Sequence, residues 1–362
     1  MICSAAASID LKKQKINELN VFPVPDGDTG TNMGMTLSAA AAELSRKQNV
    51  TLSKAADLTA SALLRGARGN SGVILSLLFR GFSKAFKGMD EANGRDFANA
   101  LTTGVEAAYK AVMKPAEGTI LTVSRLTADA ARDLAEEDCG IESVLSAAIP
   151  VAKTALANTV NQNPVLKKAG VVDAGGMGFV VILEGMLSSL QGHDIVSDAS
   201  GAANEQADFT EFDSEDITFA FDTVFIVRKS APDISLEPLR AYLDGIGDSL
   251  VIGEDDEAFK VHVHTNIPGD ALSEAQKYGT LELAKIENMR MQHDDLAAGR
   301  KARSTDDLDA IEQELEAAPA APSAPEKRYG FVAVCAGEGL ASVFTDLGAD
   351  QIIEGGQTMN PS

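Results

Sequence analysis

Residues Asn20–Met33 read NVFPVPDGDTGTNM, in which Asp26 and Asp28 stand on either side of Gly27. The prolines before the aspartates fix the backbone φ angle, and the glycines allow a sharp turn, so a stiff loop presents both carboxylates. Paired carboxylates suit Mg²⁺, which takes one or two of them and completes its octahedron with nucleotide phosphates and water. The string therefore predicts a site for Mg²⁺ and a nucleotide at the start of an Ala-rich helix.

Two simpler interpretations of this loop compete with a nucleotide site. An EF-hand loop starting at Asp26 needs Gly at its sixth position and Glu at its twelfth, where the chain has Thr31 and Leu37, so that motif is excluded. An ordinary Asp-Gly turn stays open for the three letters DGD taken alone. We expect Thr31 or Asn32 to cap the helix that follows.

Apolar residues recur at three- and four-residue steps through the first half of the chain, which is the spacing of one face of a helix. In Gly72–Phe86, for example, Val73, Leu77 and Phe82 fall on one stripe. The same pattern or composition is found in Thr31–Lys47, Ser53–Leu64, Phe97–Val112, Thr119–Glu136, Ile141–Leu156 and Phe179–Leu190. Residues 1–192 are therefore predicted to form an all-α domain.

The pattern changes after residues 193–215, whose Gly, Ala, Asn, Asp and Ser content is typical of a linker. Apolar residues then alternate with polar ones, as in a strand, and residues 216–298 predict a separate α/β domain. Its predicted elements are a strand over 217–227, a helix over Leu236–Leu243, strands over Ser249–Gly253 and Phe259–Thr265, a helix over Ala271–Tyr278 and a strand over Thr280–Ile286. This order, β-α-β-β-α-β, indicates a ferredoxin-like arrangement.

Beyond the α/β domain, residues 299–327 include Ala317–Pro325 (AAPAAPSAP), which is typical of an extended linker. Tyr329–Val334 predicts a buried strand and is followed by a helix from about Leu340, so residues 328–362 are predicted to be the start of a third α/β domain. Some 35 residues are too few to close a domain, and we expect the sequence to be cut at its C-terminus.

The charge balance narrows the class of partner. Among 362 residues there are 53 acidic and 31 basic side chains, for a net charge of −22. This argues against nucleic acid or an anionic membrane surface as the main partner, since both need basic patches.

The three cysteines have no CxxC spacing, and there is no signal peptide pattern and no apolar run long enough for an integral membrane segment. We expect a cytoplasmic protein.

Three further loops could bind phosphate. Gly66–Gly72 (GARGNSG), Lys114–Thr122 (KPAEGTILT) and Asp173–Gly178 (DAGGMG) each place glycines or polar residues just before a predicted helix. Exposed amides at a helix N-terminus bind phosphate, and several such ends could converge on one anion. Each loop taken alone could equally be a helix connection or cap. Neither the P-loop nor the dinucleotide-binding glycine motif is present, so a site here would be of another type.

The segment Val261–Thr265 (VHVHT) places His262 and His264 on the same face of a predicted strand. This spacing suits two imidazole ligands of one zinc ion. A structural pair of half-buried histidines is the competing interpretation, and spacing alone does not name a third ligand.

Taken together, several strings resemble the ATP-binding subunit of bacterial fatty acid kinase, whose N-terminal domain is similar to the L-subunit of dihydroxyacetone kinase. They are NVFPVPDGDTGTNM, LLRGARGNSGVILSLLFRGF, AYKAVMKPAEGTILTV, GVVDAGGMG, KVHVHTNIPG and GGQTMNPS. The resemblance implies a helical barrel that holds ATP and two Mg²⁺ ions through Asp26 and Asp28, which are also the catalytic residues it implies. Nucleotide or metal contacts are expected at Asn20, Thr29, Thr31, Asn32, Gly69, Asn70, Ser71, Gly118, Thr119 and Asp173.

The middle domain of that family is similar in carrying a site of one cysteine and two histidines. His262 and His264 match the histidines, whereas Asp222 stands where relatives have the cysteine. A carboxylate binds zinc more weakly than a thiolate does in such a site, so the resemblance implies a weaker zinc site here. Residues 328–362 resemble the start of a DegV-like domain.

The implied reaction moves the γ-phosphoryl group of ATP onto a fatty acid carboxylate. A carboxylate is ionised at neutral pH and needs no general base, which fits a site rich in Asp and Gly. The resemblance also implies a separate DegV-like fatty-acid-binding protein that carries the substrate, and we expect a homodimer. Two alternatives stay open: one component of a dihydroxyacetone (glycerone) kinase, and a nucleotide-binding adaptor without turnover.

Overall fold

The computed structural model describes residues 1–47, 49–135, 139–193, 217–297, 331–335 and 338–354. The chain divides into two compact units, Met1–Thr305 and Asp306–Ser362, and each is described by itself. The predicted linkers, 193–215 and 299–327, lie outside the described residues except for His193.

The first part of the larger unit is helical, as predicted. The described helices are α1 (Ile2–Asn17), α2 (Thr29–Ser45), α3 (Leu52–Gly66), α4 (Gly69–Ala85), α5 (Gly94–Ala111), α6 (Ile120–Leu134), α7 (Ile141–Gln162), α8 (Pro164–Ala169) and α9 (Ala174–Leu190). Each of α1 to α7 packs against the next helix in the chain, α7 also packs against α9, and α9 returns to α1. The contacts thus follow a ring, while the barrel implied by the resemblance stays a prediction.

The helical core contains the predicted apolar stripe of α4, whose Val73, Leu77 and Phe82 are all buried. Met33, Leu75, Leu121 and Leu145 come from four different helices and are almost completely buried. Burying a side chain of this kind contributes roughly 1.5–3 kcal/mol, so the shared core holds the helices together. Their N-termini are thereby fixed relative to one another.

A very close helix crossing in this core joins α4 and α5. An added Cβ at Gly81 would lie 2.1 Å from the Gly104 backbone nitrogen, and one at Gly104 would lie 2.3 Å from the Leu78 carbonyl oxygen. Glycine at both positions allows the two helix backbones to touch. This crossing fixes the direction of α4, whose first turn contributes to the site described below.

The second part of the larger unit has the predicted element order. It consists of β1 (Phe221–Lys229), α10 (Glu237–Ile246), β2 (Gly247–Glu254), β3 (Ala258–Thr265), α11 (Pro268–Ala275), a single 3₁₀ turn (Gln276–Tyr278), β4 (Gly279–Asn288) and α12 (Met289–Ala297). The strands form one sheet in the order β2-β3-β1-β4, and all neighbours are antiparallel. The predicted first strand begins at Phe221 rather than at Ile217.

The two faces of this sheet differ in chemistry because successive side chains of a strand point to opposite sides. One face is apolar, and its core cluster includes Phe225 and Val261 of the sheet and Leu239 and Leu243 of α10. The opposite face carries Asp222, Lys260, His262, His264, Lys285 and Glu287. We call this second side the polar sheet face.

The polar sheet face is turned toward the helices. Val251 of β2 belongs to the core of the helical part. The Met113 amide donates to the Leu250 carbonyl at 3.3 Å, and the Arg240 guanidinium donates to the Ala111 carbonyl at 3.1 Å. The sheet therefore packs beside the ends of α3, α4 and α5.

Among the described residues, α7 is the one helix long and apolar enough to be compared with a membrane span. It behaves as a core helix, since Leu145, Ala148 and Leu156 are buried and it packs against α6 and α9.

The smaller unit contains β5 (Val332–Cys335), α13 (Glu338–Asp346) and β6 (Gln351–Glu354) in its described part. The two strands pair in parallel, as a β-α-β connection requires. The Phe331 amide donates to the Asp350 carboxylate at 3.0 Å just before β5. The start of a third α/β domain remains a prediction.

Candidate functional site

The loop that carries the paired aspartates is held by Asn20. Its side-chain amide donates to the Val24 carbonyl and to the Asp26 carboxylate, both at 2.8 Å. Its side-chain oxygen accepts from the backbone amide of Thr29 at 3.1 Å and from the Thr29 hydroxyl. Asn20 thus stabilises both ends of the loop, and in this arrangement its oxygen is engaged within the loop.

Asp26 and Asp28 lie close enough together that each carboxyl group influences the pKa of the other. Burial, and then the neighbouring carboxylates of Asp28 and Asp222, raise the pKa of Asp26 well above its ordinary value. Burial also raises the pKa of Asp28, although a hydrogen bond from Asn32 opposes the change. Because burial disfavours the charged form of both carboxyl groups, a divalent cation that binds both of them would offset this cost. The pair fits Mg²⁺.

The two helices nearest this pair begin earlier than predicted. Helix α2 starts at Thr29, not after Thr31 or Asn32, because the Asp28 carbonyl already accepts the Asn32 amide at 2.8 Å. Thr31 instead accepts a hydrogen bond from the Asn17 side chain of α1 at 3.0 Å.

Helix α4 begins at Gly69 and not at Gly72, because the Arg68 carbonyl accepts the Gly72 amide at 2.9 Å. Asn70 and Ser71 therefore lie within its first turn instead of preceding it. Gly69, which has a φ of 55°, is placed against the side chain of Asn32. The starts of α2 and α4 are thus in direct contact.

A cavity of 370 Å³ lies next to these two helix starts. Each of the four predicted loops contributes polar residues to its wall, among them Thr29, Asn70, Ser71, Thr119 and Asp173. Apolar residues complete the wall, among them Phe22, Ile74 and Leu250. The side-chain oxygen of Asn70 is buried without a hydrogen-bond partner in the described part of the chain. The volume is in the range of small-molecule sites, and the unpartnered oxygen indicates a polar ligand.

Asp173 connects two of the helix starts on this wall. It is the N-cap of α9, accepts the Gly176 amide at 2.7 Å and also accepts a backbone hydrogen bond from Ile120, the first residue of α6. Burial raises its pKa to about 7, although the two amides act in the opposite direction. Asp173 therefore caps α9, as the capping interpretation of this loop predicts, and it also borders the cavity.

The remaining predicted loop residues hold the start of α6. The Thr119 hydroxyl, next to the cavity, donates to the Ala116 carbonyl at 2.7 Å. The Gly118 amide donates to the Thr122 hydroxyl at 2.8 Å, and Gly118 packs against Gln162 and Asn163 instead of lining the cavity.

The carboxyl group of Asp173 gives a prediction about stability and pH. Because the folded chain keeps this proton to about pH 7 while the unfolded chain loses it near 3.8, the free energy of unfolding falls as pH rises between these values. Asparagine caps a helix as well as aspartate and does not ionise. We expect the free energy of unfolding of Asp173→Asn, relative to that of the wild type, to be larger at pH 8 than at pH 4.5. Urea unfolding at the two pH values measures this difference. An identical difference at both pH values contradicts this prediction.

The polar sheet face closes the other side of the paired aspartates. A narrow gap of 40 Å³ is bordered by residues of both parts of the unit, including Asp28, Asn32 and Gly69 from the helices. The sheet residues around it are Asp222, Val224, Lys260, Leu283, Lys285 and Glu287. Lys285 pairs with Glu287 at 3.3 Å. The paired aspartates thus lie at the boundary of the helices and the sheet.

Asp222, His262 and His264 form a second candidate metal centre on the polar sheet face. One ligand atom from each lies within 4.8 Å of the others. The two Nε2 atoms are 3.1 Å apart, and His262 Nδ1 lies 3.3 Å from the Asp222 carboxylate. His262 Nδ1 and the Asp222 carboxylate oxygen are both buried, and neither forms a hydrogen bond with the described residues. A bound cation would satisfy both atoms.

Electrostatics around this trio favour the neutral imidazole of His262, which is the form that binds metals. Burial, followed by the positive charges of His264 and Lys260, holds the pKa of His262 well below its ordinary value. Burial raises the pKa of Asp222 to about 7, with Glu287 and Asp28 adding to the effect. The donors of one carboxylate and two imidazoles fit a divalent transition metal such as zinc.

Several residues of the site were not predicted. Asp248, Ser249, Leu250 and Val251 of β2 border the cavity at an irregularity in the pairing with β3, where Ser249 has a φ of 53°. Bulges of this kind are frequent next to functional sites. No local signal in the sequence marks these residues, because the irregularity depends on pairing with another strand.

Three consecutive segments of the chain match known families. Residues 23–188 match the DAK2 domain. Residues 218–296 match the middle domain of the FakA-like fatty acid kinase proteins, and residues 330–362 match the C-terminal domain of the same proteins. Together these segments include both the paired aspartates and the Asp-His-His cluster.

Curated relatives match the whole of this chain. Protein YloV of Bacillus subtilis is 41% identical over 372 residues, covering 100% of this chain and 65% of that protein. An uncharacterized protein of Staphylococcus saprophyticus is 39% identical over 374 residues with the same coverage. The chain therefore spans 65% of the length of these relatives.

The crystal structure of the dihydroxyacetone kinase of C. freundii is also similar, with a TM-score of 0.41 and 20% identity, over 52% of this chain and 33% of that one. The chain therefore has a DAK2 domain followed by matches to the middle and the C-terminal domains of the FakA-like fatty acid kinase proteins.

Proposed function

We propose that this chain is the nucleotide-binding, phosphoryl-transferring component of a fatty acid kinase. It binds ATP with two Mg²⁺ ions and transfers the γ-phosphoryl group to the carboxylate of a fatty acid, which a separate DegV-like protein presents. The products are an acyl phosphate and ADP. The reaction takes place in the cytoplasm, and the working form is a homodimer.

One observation carries this proposal: the starts of α2, α4, α6 and α9 meet at one cavity, which is bordered by Thr29, the residue after Asp28. Backbone amides at helix starts are suited to phosphates, and the paired carboxylates are suited to Mg²⁺. The Asn70 oxygen, which lacks a partner among the described residues, belongs to the wall of the same cavity. Apolar wall residues such as Phe22 and Ile74 provide a surface against which the adenine base of the nucleotide can pack. This combination of groups is what a nucleotide-dependent kinase requires.

The chemistry asks little of the protein beyond position and charge. A carboxylate oxygen of the acid attacks the γ-phosphorus, the bond from that phosphorus to the bridging oxygen breaks, and ADP leaves with the electron pair. The acid is already ionised at neutral pH, so no general base is required. Asp26 and Asp28 would hold the metal ions, which when bound neutralise the phosphate charge. The amides at the helix starts would orient the phosphates.

The Asp222, His262 and His264 cluster is proposed as a separate site for one transition-metal ion such as zinc. Its support is the donor set and the two orphaned atoms described above. Metal analysis of the purified chain, compared with His262→Ala, tests this proposal. An equal metal content in both proteins would contradict it.

The proposed reaction is tested by incubating the chain with γ-labelled ATP, Mg²⁺ and oleate loaded on a fatty-acid-binding protein. Hydroxylamine traps an acyl phosphate as a stable hydroxamate, so oleate-dependent hydroxamate and ADP are the expected products. ADP formation with dihydroxyacetone and none with oleate would favour the other kinase class. Nucleotide binding with no ADP under either condition would contradict an enzymatic role and favour an adaptor.

A further inference from the structure

A buried lysine of the sheet reaches across to the helical part. Lys260 lies on β3 and is 2% exposed. Its amino group donates to the Arg65 carbonyl at 3.2 Å and to the Ala67 carbonyl. Burying an amino group costs free energy unless it is hydrogen-bonded, and these two carbonyls supply the bonds.

The two carbonyls belong to the end of α3. That helix ends at Gly66, and Ala67 is its C-cap. Carbonyls in the last turn of a helix have no partner within the helix. Burial lowers the pKa of Lys260 to about 7, and its amino group can donate hydrogen bonds to these carbonyls in either protonation state. Lys260 therefore supplies from the sheet the cap that α3 lacks in its own sequence.

The next helix begins almost at once. Only Ala67 and Arg68 separate the end of α3 from the start of α4 at Gly69. With so short a connection, the position of the Ala67 carbonyl fixes where α4 begins. Asn70 and Ser71, which border the cavity, are the first and second residues after Gly69.

The same contact is linked to the paired aspartates. An added Cβ at Gly69 would lie 2.5 Å from the Asn32 side-chain nitrogen, so the two residues are in close contact. The Asn32 side chain in turn hydrogen-bonds to Asp28. A shift of the α3–α4 connection would therefore change the positions of both the first-turn amides of α4 and the carboxylate of Asp28.

We infer that Lys260 is a positioning residue for nucleotide binding: it holds the α3–α4 connection so that the first turn of α4 faces the phosphates. The sheet thereby completes a site whose phosphate-binding groups all belong to the helices. This inference rests on the proposed function, because it assumes that the cavity takes a nucleotide. It assigns the middle domain a part in ATP binding, separate from its metal cluster.

The test compares Lys260→Met with the wild type in calorimetric titrations of a non-hydrolysable ATP analogue with Mg²⁺. Methionine keeps the length and apolar stem of the side chain but cannot donate to the carbonyls. We expect the dissociation constant to rise roughly 10-fold. The KM for ATP should rise by more than kcat falls, and Lys260→Arg should recover part of the affinity.

The matched control is Glu257→Gln. Glu257 also joins the sheet to the end of α3, through a 3.0 Å ion pair with Arg65, but both side chains are exposed. A pair of this kind contributes little, so its loss should leave nucleotide affinity unchanged. The comparison separates the positioning of α4 from general attachment of the sheet.

Hydrogen exchange of the wild type gives a second measurement if Lys260→Met does not fold. Coupling between sites is reciprocal, so the bound analogue should slow exchange in both 64–72 and 258–265. Protection confined to the helical part would overturn the inference, as would a folded Lys260→Met with wild-type affinity. A wild type that binds no nucleotide would overturn the proposed function and this inference together.

Discussion

Replacing Asp28 with asparagine is expected to lower kcat for phosphoryl transfer by roughly 10²–10³-fold, as the loss of one preorganised charge contact in other enzymes does. Asparagine keeps the shape of the side chain but offers Mg²⁺ a neutral oxygen. The metal would then be held by Asp26 with less charge to balance it. Steady-state measurement of ADP release with saturating ATP and acceptor checks this expectation.

The same substitution should not unfold the protein. Burial raises the pKa of Asp28, which means that its negative charge destabilises the folded chain at neutral pH. Removing that charge should leave the free energy of unfolding unchanged or raise it. Asp57→Asn, on an exposed face of α3, is the matched control and should leave activity at the wild-type level. Normal turnover in Asp28→Asn, with Mg²⁺ still required, would contradict the assignment.

Gly81→Ala is expected to destabilise the helical part by about 3 kcal/mol or more. The new Cβ would meet the Gly104 nitrogen at 2.1 Å and its Cα at 2.2 Å, and backbone atoms of a packed helix cannot move aside cheaply. Helix propensity alone would favour alanine by up to about 1 kcal/mol. The predicted loss of stability therefore comes entirely from the steric clash where α4 and α5 cross. The midpoint of urea unfolding measures the change.

Gly245→Ala is the matched control for this crossing. Gly245 is a helical glycine of α10, and nothing in the described part of the chain lies within 4 Å of an added Cβ. Propensity should therefore dominate, and the variant should gain up to about 1 kcal/mol. If Gly81→Ala were as stable as the wild type, the close approach of α4 and α5 would be wrong, and with it the direction of the first turn of α4.

Periodicity predicted most of the elements because each long helix or strand buries one face, and the buried side chains repeat at the period of the element. The six-residue helix α8 was not predicted, since it is too short to show a period. Its starting signals were nonetheless present in Asn163, whose side chain accepts the Val165 amide, and in Pro164 at the first turn. Helix starts were placed late at Thr29 and Gly69 because backbone carbonyls, not the expected side chains, begin the hydrogen-bond ladder.

The sequence indicated the helical half of the site and, from the sheet, Asp222, His262 and His264, but it missed the other sheet residues. Thr29, Asn70, Thr119 and Asp173 stand in loops with recognisable chemistry, and the fold brings them to one cavity. Lys285 and Glu287, by contrast, alternate with apolar residues on an edge strand, a pattern that is equally typical of a solvated face. Only packing of the sheet against the helices distinguishes the two cases.

The predicted magnesium and zinc sites were unrelated in the sequence and are neighbours in the fold. Asp222 contributes to the raised pKa of Asp26, and Asp28 contributes to that of Asp222. This proximity depends on how the sheet sits on the helix ends, which no local pattern encodes. We therefore expect occupancy of one metal centre to affect the affinity of the other.

Asp26 and Asp28 are proposed to hold the metal ions through which the nucleotide is bound. Calorimetric titration of a non-hydrolysable ATP analogue into the wild type, with Mg²⁺ and again with EDTA, tests it most directly, with the Asp26→Asn, Asp28→Asn double variant measured alongside. Binding should require Mg²⁺ in the wild type and should be lost in the double variant. Equal affinity in EDTA, or in the double variant, would contradict it.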